Sequence, residues 1–388
     1  MVSKAVSIQF IIGAVLGSVI ACSPTKFSQS NNSNTLCDSS VTNCVIQNQS
    51  VDIVQNFKVG SGKVDILFVN DNSASMSKNQ VALASKFAGF IQNLDSKNID
   101  YRIAITTTDL AAVQRNKLIS FSSGKYYLTN ADSNRVTLFN NAIVRNETIN
   151  CEDFIISMFN TYGTSFQTNP TYHSQYSTVC PSSDTRGIYT ANTVVSENSQ
   201  SFLRSDANLN VILISNDNVR QGNAMEDGDR AITFTNMMNS SYPNKYWDFN
   251  SIVVKDDTCK QNQTLRNNAN QVVANAYGPA VVGGIGLEYA NLSNSAARDI
   301  DNNPRPRGKI LSICESNYSN HFNTMATQIS DDGRMFTMRC TPSQAPEVTL
   351  VAGGAAVPHT WNGDKIVFAR AYAGVQVKIA YRCYTGPT

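Results

Sequence analysis

The run Val64-Asp65-Ile66-Leu67-Phe68-Val69 restricts the fold more than any other feature of the chain. A strand that is apolar toward both of its faces must be covered on both, which selects a sheet sandwiched between helices. The next segment supplies one cover: Val81, Ala84, Phe87, Ala88, Ile91 and Leu94 recur at helical spacings of three and four. Tyr101 to Thr106 reads as a second strand, followed by Thr107-Thr108-Asp109. Val211-Ile212-Leu213-Ile214 reads as another fully apolar strand, ending in Ser215-Asn216-Asp217, and Ile252-Val253-Val254 and Lys309 to Cys314 add two more. Between them lie helices with Ile188, Ala191 and Val194 or Val195 on one face, and with Tyr318, Phe322, Met325 and Ile329 on another, the latter capped by Ser316. The predicted class is α/β, a doubly wound, mostly parallel sheet flanked by helices.

After Cys340 the period falls to two. Val375, Val377, Ile379, Tyr381 and Cys383 alternate with polar residues, Ile366 and Phe368 likewise, and Trp361-Asn362-Gly363-Asp364 carries a hairpin signal. A small antiparallel β module is therefore expected over 340–388. The α/β domain is placed at 51–335, with a polar elaboration around 110–180 that includes a hairpin at Ser122-Ser123-Gly124-Lys125. Residues 22–50 are rich in Ser, Asn and Thr and read as a flexible tether.

Ahead of the tether, Lys4 precedes an apolar run that closes on Val19-Ile20-Ala21-Cys22. This resembles a bacterial lipoprotein signal peptide over 1–21 with its lipobox, which implies cleavage before Cys22 and lipid, palmitate included, on that residue. An ordinary secretory leader is the alternative. Ser23, in place of an inner-membrane retention Asp, points to the outer membrane, and several acyl chains would make anchorage stable. The other eight of nine cysteines form an even set in an oxidising compartment. Joining sequence neighbours gives Cys37 with Cys44, Cys151 with Cys180, Cys259 with Cys314, and Cys340 with Cys383, one connectivity among many. None forms a C-x-x-C unit, so a zinc ribbon or thioredoxin-type centre is not supported.

The first strand runs into Asp71-Asn72-Ser73-Ala74-Ser75, a D-x-S-x-S spacing that can converge one carboxylate and two hydroxyls above the strand end. These are oxygen donors for a hard cation, and too few charges to neutralise it, so an outside carboxylate can complete the set. An apolar strand ending in this motif, alternating helices and strands, and a later apolar strand ending near an Asp resemble the von Willebrand factor type A domain. The resemblance covers roughly 60–332 and implies a metal-ion-dependent adhesion site at the carboxyl ends of the strands, as the switch-point rule for open sheets expects. It places Asp71, Ser73 and Ser75 in the first loop. The family's later Thr falls on Thr185, then Ser183, then Thr164. Where the family usually has Asp on the fourth strand, this chain has Asn216, with Asp217 one position on. Either can serve: Asn216 through its amide or a water, Asp217 through a remade loop. The implied cofactor is a divalent cation, Mg²⁺ first, with Mn²⁺ or Ca²⁺ as alternatives.

The bland reading of Asp71 and of Thr185 is helix capping. Glu226-Asp227-Gly228-Asp229 lacks the spacing of a calcium loop and reads as an exposed acidic helix start. His173, His321 and His359 sit in unrelated segments and read as surface or loop residues. No nucleophile elbow, H-E-x-x-H helix, Walker loop or dinucleotide turn occurs, so no enzyme is expected. The formal charge of +2 makes no case for nucleic acid. The expected function is that of an envelope lipoprotein whose metal site captures a carboxylate of a protein or other anionic partner. A metal-free envelope scaffold is the alternative, with a metal-assisted hydrolase behind it.

Overall fold

The computed structural model describes residues 36–37, 41–47, 49–110, 117–182, 184–220, 225–261 and 284–385. The leader, Cys22 and Ser183 lie outside these residues, and so does the side chain of Thr164. In chain order the strands of the α/β body are β3 (Lys63–Asn70), β4 (Asp100–Thr107), β5 (Leu128–Thr129), β6 (Asn208–Ser215), β7 (Trp247–Val253) and β10 (Ile310–Ser312). They form one sheet in the order β10-β7-β6-β3-β4-β5, parallel except for β5. Counted within the sheet this is the order 3-2-1-4-5-6 of doubly wound folds, and the direction of winding reverses between β3 and β6.

The helices are α1 (Ser77–Ser96), α2 (Arg135–Ile143), α3 (Asn146–Tyr162), α4 (Pro170–Val179), α5 (Gly187–Ser196), α6 (Ala231–Ser241), α7 (Asp257–Gln261), α8 (Leu287–Ser293) and α9 (Ser319–Asp332). They cover both faces of the sheet, as the strand composition requires. Ile66 and Phe68 pack with Phe87, Phe90, Phe139 and Phe322 on one side. Leu67 and Val69 pack with Ile188, Val194, Phe234 and Tyr289 on the other. The exception in β3, Asp65, is fully buried and bound by Arg204 Nε at 2.8 Å and Arg204 N at 2.7 Å.

Several local expectations change. The buried stripe of α1 is Leu83, Ala84, Phe87, Phe90, Ile91 and Leu94, while Val81 is 54% exposed and Ala88 faces solvent. At about 100° per residue the stripe centres on Phe87, leaving both about a third of a turn away. Asn317 rather than Ser316 accepts the Ser319 N–H at the start of α9. His321 is not a surface residue: it is buried on α9, its Nε2 2.8 Å from the Ser312 carbonyl oxygen. The described residues of the polar region 110–180 hold three α-helices and a 3-10 helix at Gly163–Thr168, while the expected hairpin is present as a tight turn closed by one antiparallel bridge between Ser122 and Lys125.

The β module draws on both ends of the chain. Strands β1 (Asn43–Gln47) and β2 (Ser50–Lys58) join β12 (Glu347–Leu350) and β15 (Gln376–Tyr384) in the order β1-β2-β15-β12. A second sheet of β11 (Met335–Thr337), β14 (Lys365–Phe368) and β13 (His359–Asn362) shares their core of Val51, Ile53, Ile366, Phe368, Val377 and Ile379. The remaining hairpin is β8 (Ala296–Arg298) with β9 (Pro304–Pro306). Residues 43–47, assigned above to the tether, are thus a strand, and 51–58, assigned to the α/β domain, belong to the β module. Their alternation of buried Val51 and Ile53 with less buried neighbours matches that of β15, and the two strands pair over nine residues, Ser50 to Lys58 against Tyr384 to Gln376. The body is therefore inserted between β2 and β11. At that junction a Cβ on Gly62 would lie 2.8 Å from Gly333 Cα, so the two backbones meet only because both positions are glycine. Disulfides join Cys37–Cys44, Cys151–Cys180, Cys259–Cys314 and Cys340–Cys383.

Candidate functional site

The D-x-S-x-S loop leaves the carboxyl end of β3 beside the end of β6, where the winding reverses. The Asp71 N–H donates to the Ile214 carbonyl at 2.9 Å, which fixes the loop against β6. Asp71 is fully buried: one carboxylate oxygen accepts the Ser73 N–H at 2.9 Å, the other the Ser215 hydroxyl at 2.6 Å. Burial pushes its carboxyl above the ordinary range, these two bonds pull it back, and nearby Asp109 pushes it up further. Ser73 and Ser75 face each other, Oγ to Oγ 3.4 Å.

Asn216, not Asp217, reaches Ser75. Its Oδ1 accepts from Ser75 Oγ at 3.2 Å, and its Nδ2 donates to the Ser75 carbonyl at 3.4 Å. Asp217 turns into its own loop, where Oδ1 accepts the Asn218 N–H at 2.8 Å. Its carboxyl is raised by burial, and also by the charge of Asp71. Thr185 is buried in the loop before α5. That loop is tied to the same sheet edge through Arg186 N–H to Thr108 O at 3.2 Å and Thr108 N–H to Asn70 O at 3.2 Å. Tyr289 lies under it, donating to the Thr185 carbonyl at 3.5 Å and accepting the Gly187 N–H at 3.2 Å.

An octahedral cation with bonds of about 2.0–2.1 Å has neighbouring donors about 2.9 Å apart, and one with bonds of about 2.3–2.6 Å about 3.3–3.7 Å apart. The spacing Ser73–Ser75, 3.4 Å, lies within the wider range, and Ser75–Asn216, 3.2 Å, lies just below it. The donor set fits a hard cation in geometry and in chemistry. Among the described residues there is no cluster of three or more His, Cys, Asp or Glu side chains able to hold a metal, so any cation here would rest mainly on neutral oxygens. Glu226 and Asp229 form a capping box and bind Arg186, at 2.8 and 2.7 Å, which makes them a helix start as expected, but not an exposed one throughout, because the ion pair to Arg186 buries Asp229 fully.

Sequence reasoning missed the residues that hold the loop from behind. Gln80 Nε2 donates to the Asp71 carbonyl at 2.9 Å, and its Oε1 accepts the Arg145 N–H at 2.9 Å. Thr148 on α3 donates to the Asn72 carbonyl at 2.7 Å, and Ser77 donates to Glu152. Ala74, inside the motif, packs with Cys151, Ile155, Met158 and Phe166. No periodicity marks these side chains, because their partners are backbone and side-chain atoms up to 76 positions away.

A doubly wound sheet of this order, with the D-x-S-x-S turn at its switch point, is the architecture that the resemblance to the von Willebrand factor type A domain implied. Among solved structures the chain is similar to the pilus adhesin SpaC from Lactobacillus rhamnosus GG, at 10% identity and a TM-score of 0.32 over 87% of this chain and 42% of that one. It is also similar to a von Willebrand factor type A protein from Catenulispora acidiphila, at 13% identity and a TM-score of 0.31 over 88% and 62%. A third, proximal thread matrix protein 1 from the mussel byssus, matches at 10% identity and a TM-score of 0.33 over 71% and 47%. The chain thus spans between about two fifths and three fifths of the length of these structures. No protein-family model and no curated protein matches it.

Proposed function

We propose that this chain binds a partner through a divalent cation, Mg²⁺ first, seated between the ends of β3 and β6. The observation that carries the reading is the convergence of Ser73 Oγ, Ser75 Oγ and Asn216 Oδ1 over the buried Asp71. In this reading Ser73 and Ser75 ligate directly, Asn216 contributes its amide oxygen or a bound water, and Asp71 orients water and supplies charge from below. Thr185 completes the loop edge. The cation supplies a Lewis-acidic position that a partner's carboxylate fills, because the protein donors leave it under-neutralised. The leader chemistry would tether the chain to the bacterial envelope through Cys22, at the outer membrane.

The test is thermal unfolding of the chelator-stripped chain titrated with Mg²⁺, Mn²⁺ or Ca²⁺. A cation at about 100 times its Kd stabilises the folded state by about 2.7 kcal/mol. The Ser73→Ala, Ser75→Ala double variant should fold and lose the response; a wild-type chain indifferent to all three cations would sink the metal mechanism. One observation favours a metal-free scaffold instead: Ser73, Ser75 and Asn216 already satisfy one another by hydrogen bonds, and Asn216 brings no charge. That reading expects no cation response and unchanged stability on chelation.

A further inference from the structure

The chain passes between the α/β body and the β module twice, and the two crossings touch. One runs from β2 through Gly60 and Gly62 into β3, the other from α9 through Gly333 into β11. The Gly60 N–H donates to the Gly333 carbonyl at 3.2 Å, and a Cβ on Gly333 would lie 2.9 Å from the Gly60 carbonyl oxygen and from the Gly62 nitrogen. A few such residues, free of side chains, are where two packed units pivot. Beside the crossings lies a cavity of about 10 Å³ whose lining includes Gly62, Gly333, Tyr246, Asp248 and Asp332. It has room for one water at most.

Two carboxyls meet in that lining. Asp248 of β7 and Asp332, the last residue of α9, are 2% and 7% exposed and bond to each other through their side chains. Ionised carboxylates only accept, so a bond between two carboxyls needs a proton on one of them. Asp248 already accepts at both oxygens, from Arg305 at 2.5 Å and from Gln328 Nε2 at 2.7 Å, which leaves the proton to Asp332. Burial, and then the adjacent Asp248, push the Asp332 carboxyl well above its ordinary range, while Arg305 and a bond to Tyr246 pull it back. The other charges around the pair are engaged: Lys63 with Asp206 at 2.5 Å, Arg334 with Asp301 at 2.6 Å, and Arg370 with Asp331 at 2.9 Å. Lys245 donates to the carbonyls of Arg204 and Ala207, at 2.6 and 2.7 Å, and Arg307 lies 4.0 Å over the Trp247 ring. A second negative charge here meets no bulk water, and no cation beyond the Arg305 that Asp248 already holds.

We propose that the Asp248–Asp332 pair is a proton-operated latch on the double crossing: with its proton the pair ties the end of α9 to β7, and when the proton leaves to solvent the carboxylates part and the β module loosens against the body. In the open joint Asp332 returns to its ordinary value of about 3.9. Between that value and the raised value of the closed joint, each pH unit favours opening by up to tenfold; below the window the latch is fully held, and above it the effect levels off. The test is amide exchange of the full chain from pH 4 to 8, corrected for the intrinsic rate, beside Asp332→Asn, whose amide still donates to Asp248 and does not titrate. In the wild type, exchange at Gly60, Gly333 and Arg334 should quicken with pH by up to tenfold per unit within the window while β6 stays constant; in Asp332→Asn it should not change with pH. Carbon-13 NMR of the wild-type carboxyls needs no variant, and should find Asp332 still protonated where exposed aspartates have ionised. An Asp332 that titrates at its ordinary value, exchange at the crossings indifferent to pH, or exchange that quickens equally in wild type and Asp332→Asn would each overturn the proposal.

Discussion

Asp71 is held by two neutral donors, and the second of them, Ser215, is the residue on which the site's geometry leans most. Ser215→Ala leaves one buried carboxylate oxygen without its donor and should lower stability by about 1–3 kcal/mol in chemical denaturation. Ser73 and Ser75 are half-buried and bond mainly to each other, so their alanine variants should unfold close to wild type. Asp65 poses the opposite problem. Burial pushes its carboxyl up and Arg204 pulls it back, so Arg204→Ala strands a charge inside the sheet. A loss of about 3–5 kcal/mol is expected, where Asp65→Asn with Arg204→Met together should lose much less.

At the scale of elements, α3 acts as a brace on the D-x-S-x-S loop. Cys151 packs in the same small core as Ala74, and its disulfide to Cys180 closes a sequence separation of 29 residues. Replacing both cysteines by serine should cost about 3.5 kcal/mol by the loop-entropy estimate. Amide exchange should quicken at 73–76 as well as in α3 and α4, while β6 and β7 stay protected; exchange confined to α4 would show that the brace does not reach the loop. A second fastening joins the loop before α5 to the loop after β6: Arg220 Nε binds Asp184 at 2.7 Å. The Arg220 bond lowers the Asp184 carboxyl below its ordinary value, with burial opposing. Its contribution is therefore complete above the unfolded pKa, about 3.9, and is lost as pH falls through the lowered folded value. Wild type and Asp184→Asn should differ in stability at neutral pH and converge in acid.

For the whole molecule, the main consequence is that the β module needs both ends of the chain. Fragment 59–385 lacks β1 and β2, exposes the long edge of β15 and opens the core around Ile379 and Cys383. It should aggregate, while a fragment beginning at Ser23 should fold, which size-exclusion chromatography and near-UV circular dichroism would distinguish. Among the described residues no helix is long and apolar enough to cross a membrane. If Cys22 carries the anchor, Cys22→Ala should release the full-length chain from the membrane fraction.

Apolar runs that had to be buried on both faces fixed the doubly wound body, and the alternation after Cys340 fixed β14 and β15 of the β module, because both follow from side-chain period alone. The motif's Asp71, Ser73 and Ser75 were legible as a local spacing, whereas the joining of sequence-neighbour cysteines was one connectivity among many that the tertiary structure selects. What the chain could not disclose depends on atoms far apart in sequence. That β2 crosses to pair with β15 is settled by core packing between segments more than 300 positions apart. That Asn216 rather than Asp217 meets Ser75 depends on how the last residue of β6 exits the sheet, a one-residue choice that periodicity does not encode. Gln80, Thr148 and Ser215 hold the site through backbone and buried partners, and only the tertiary structure brings those within hydrogen-bonding reach.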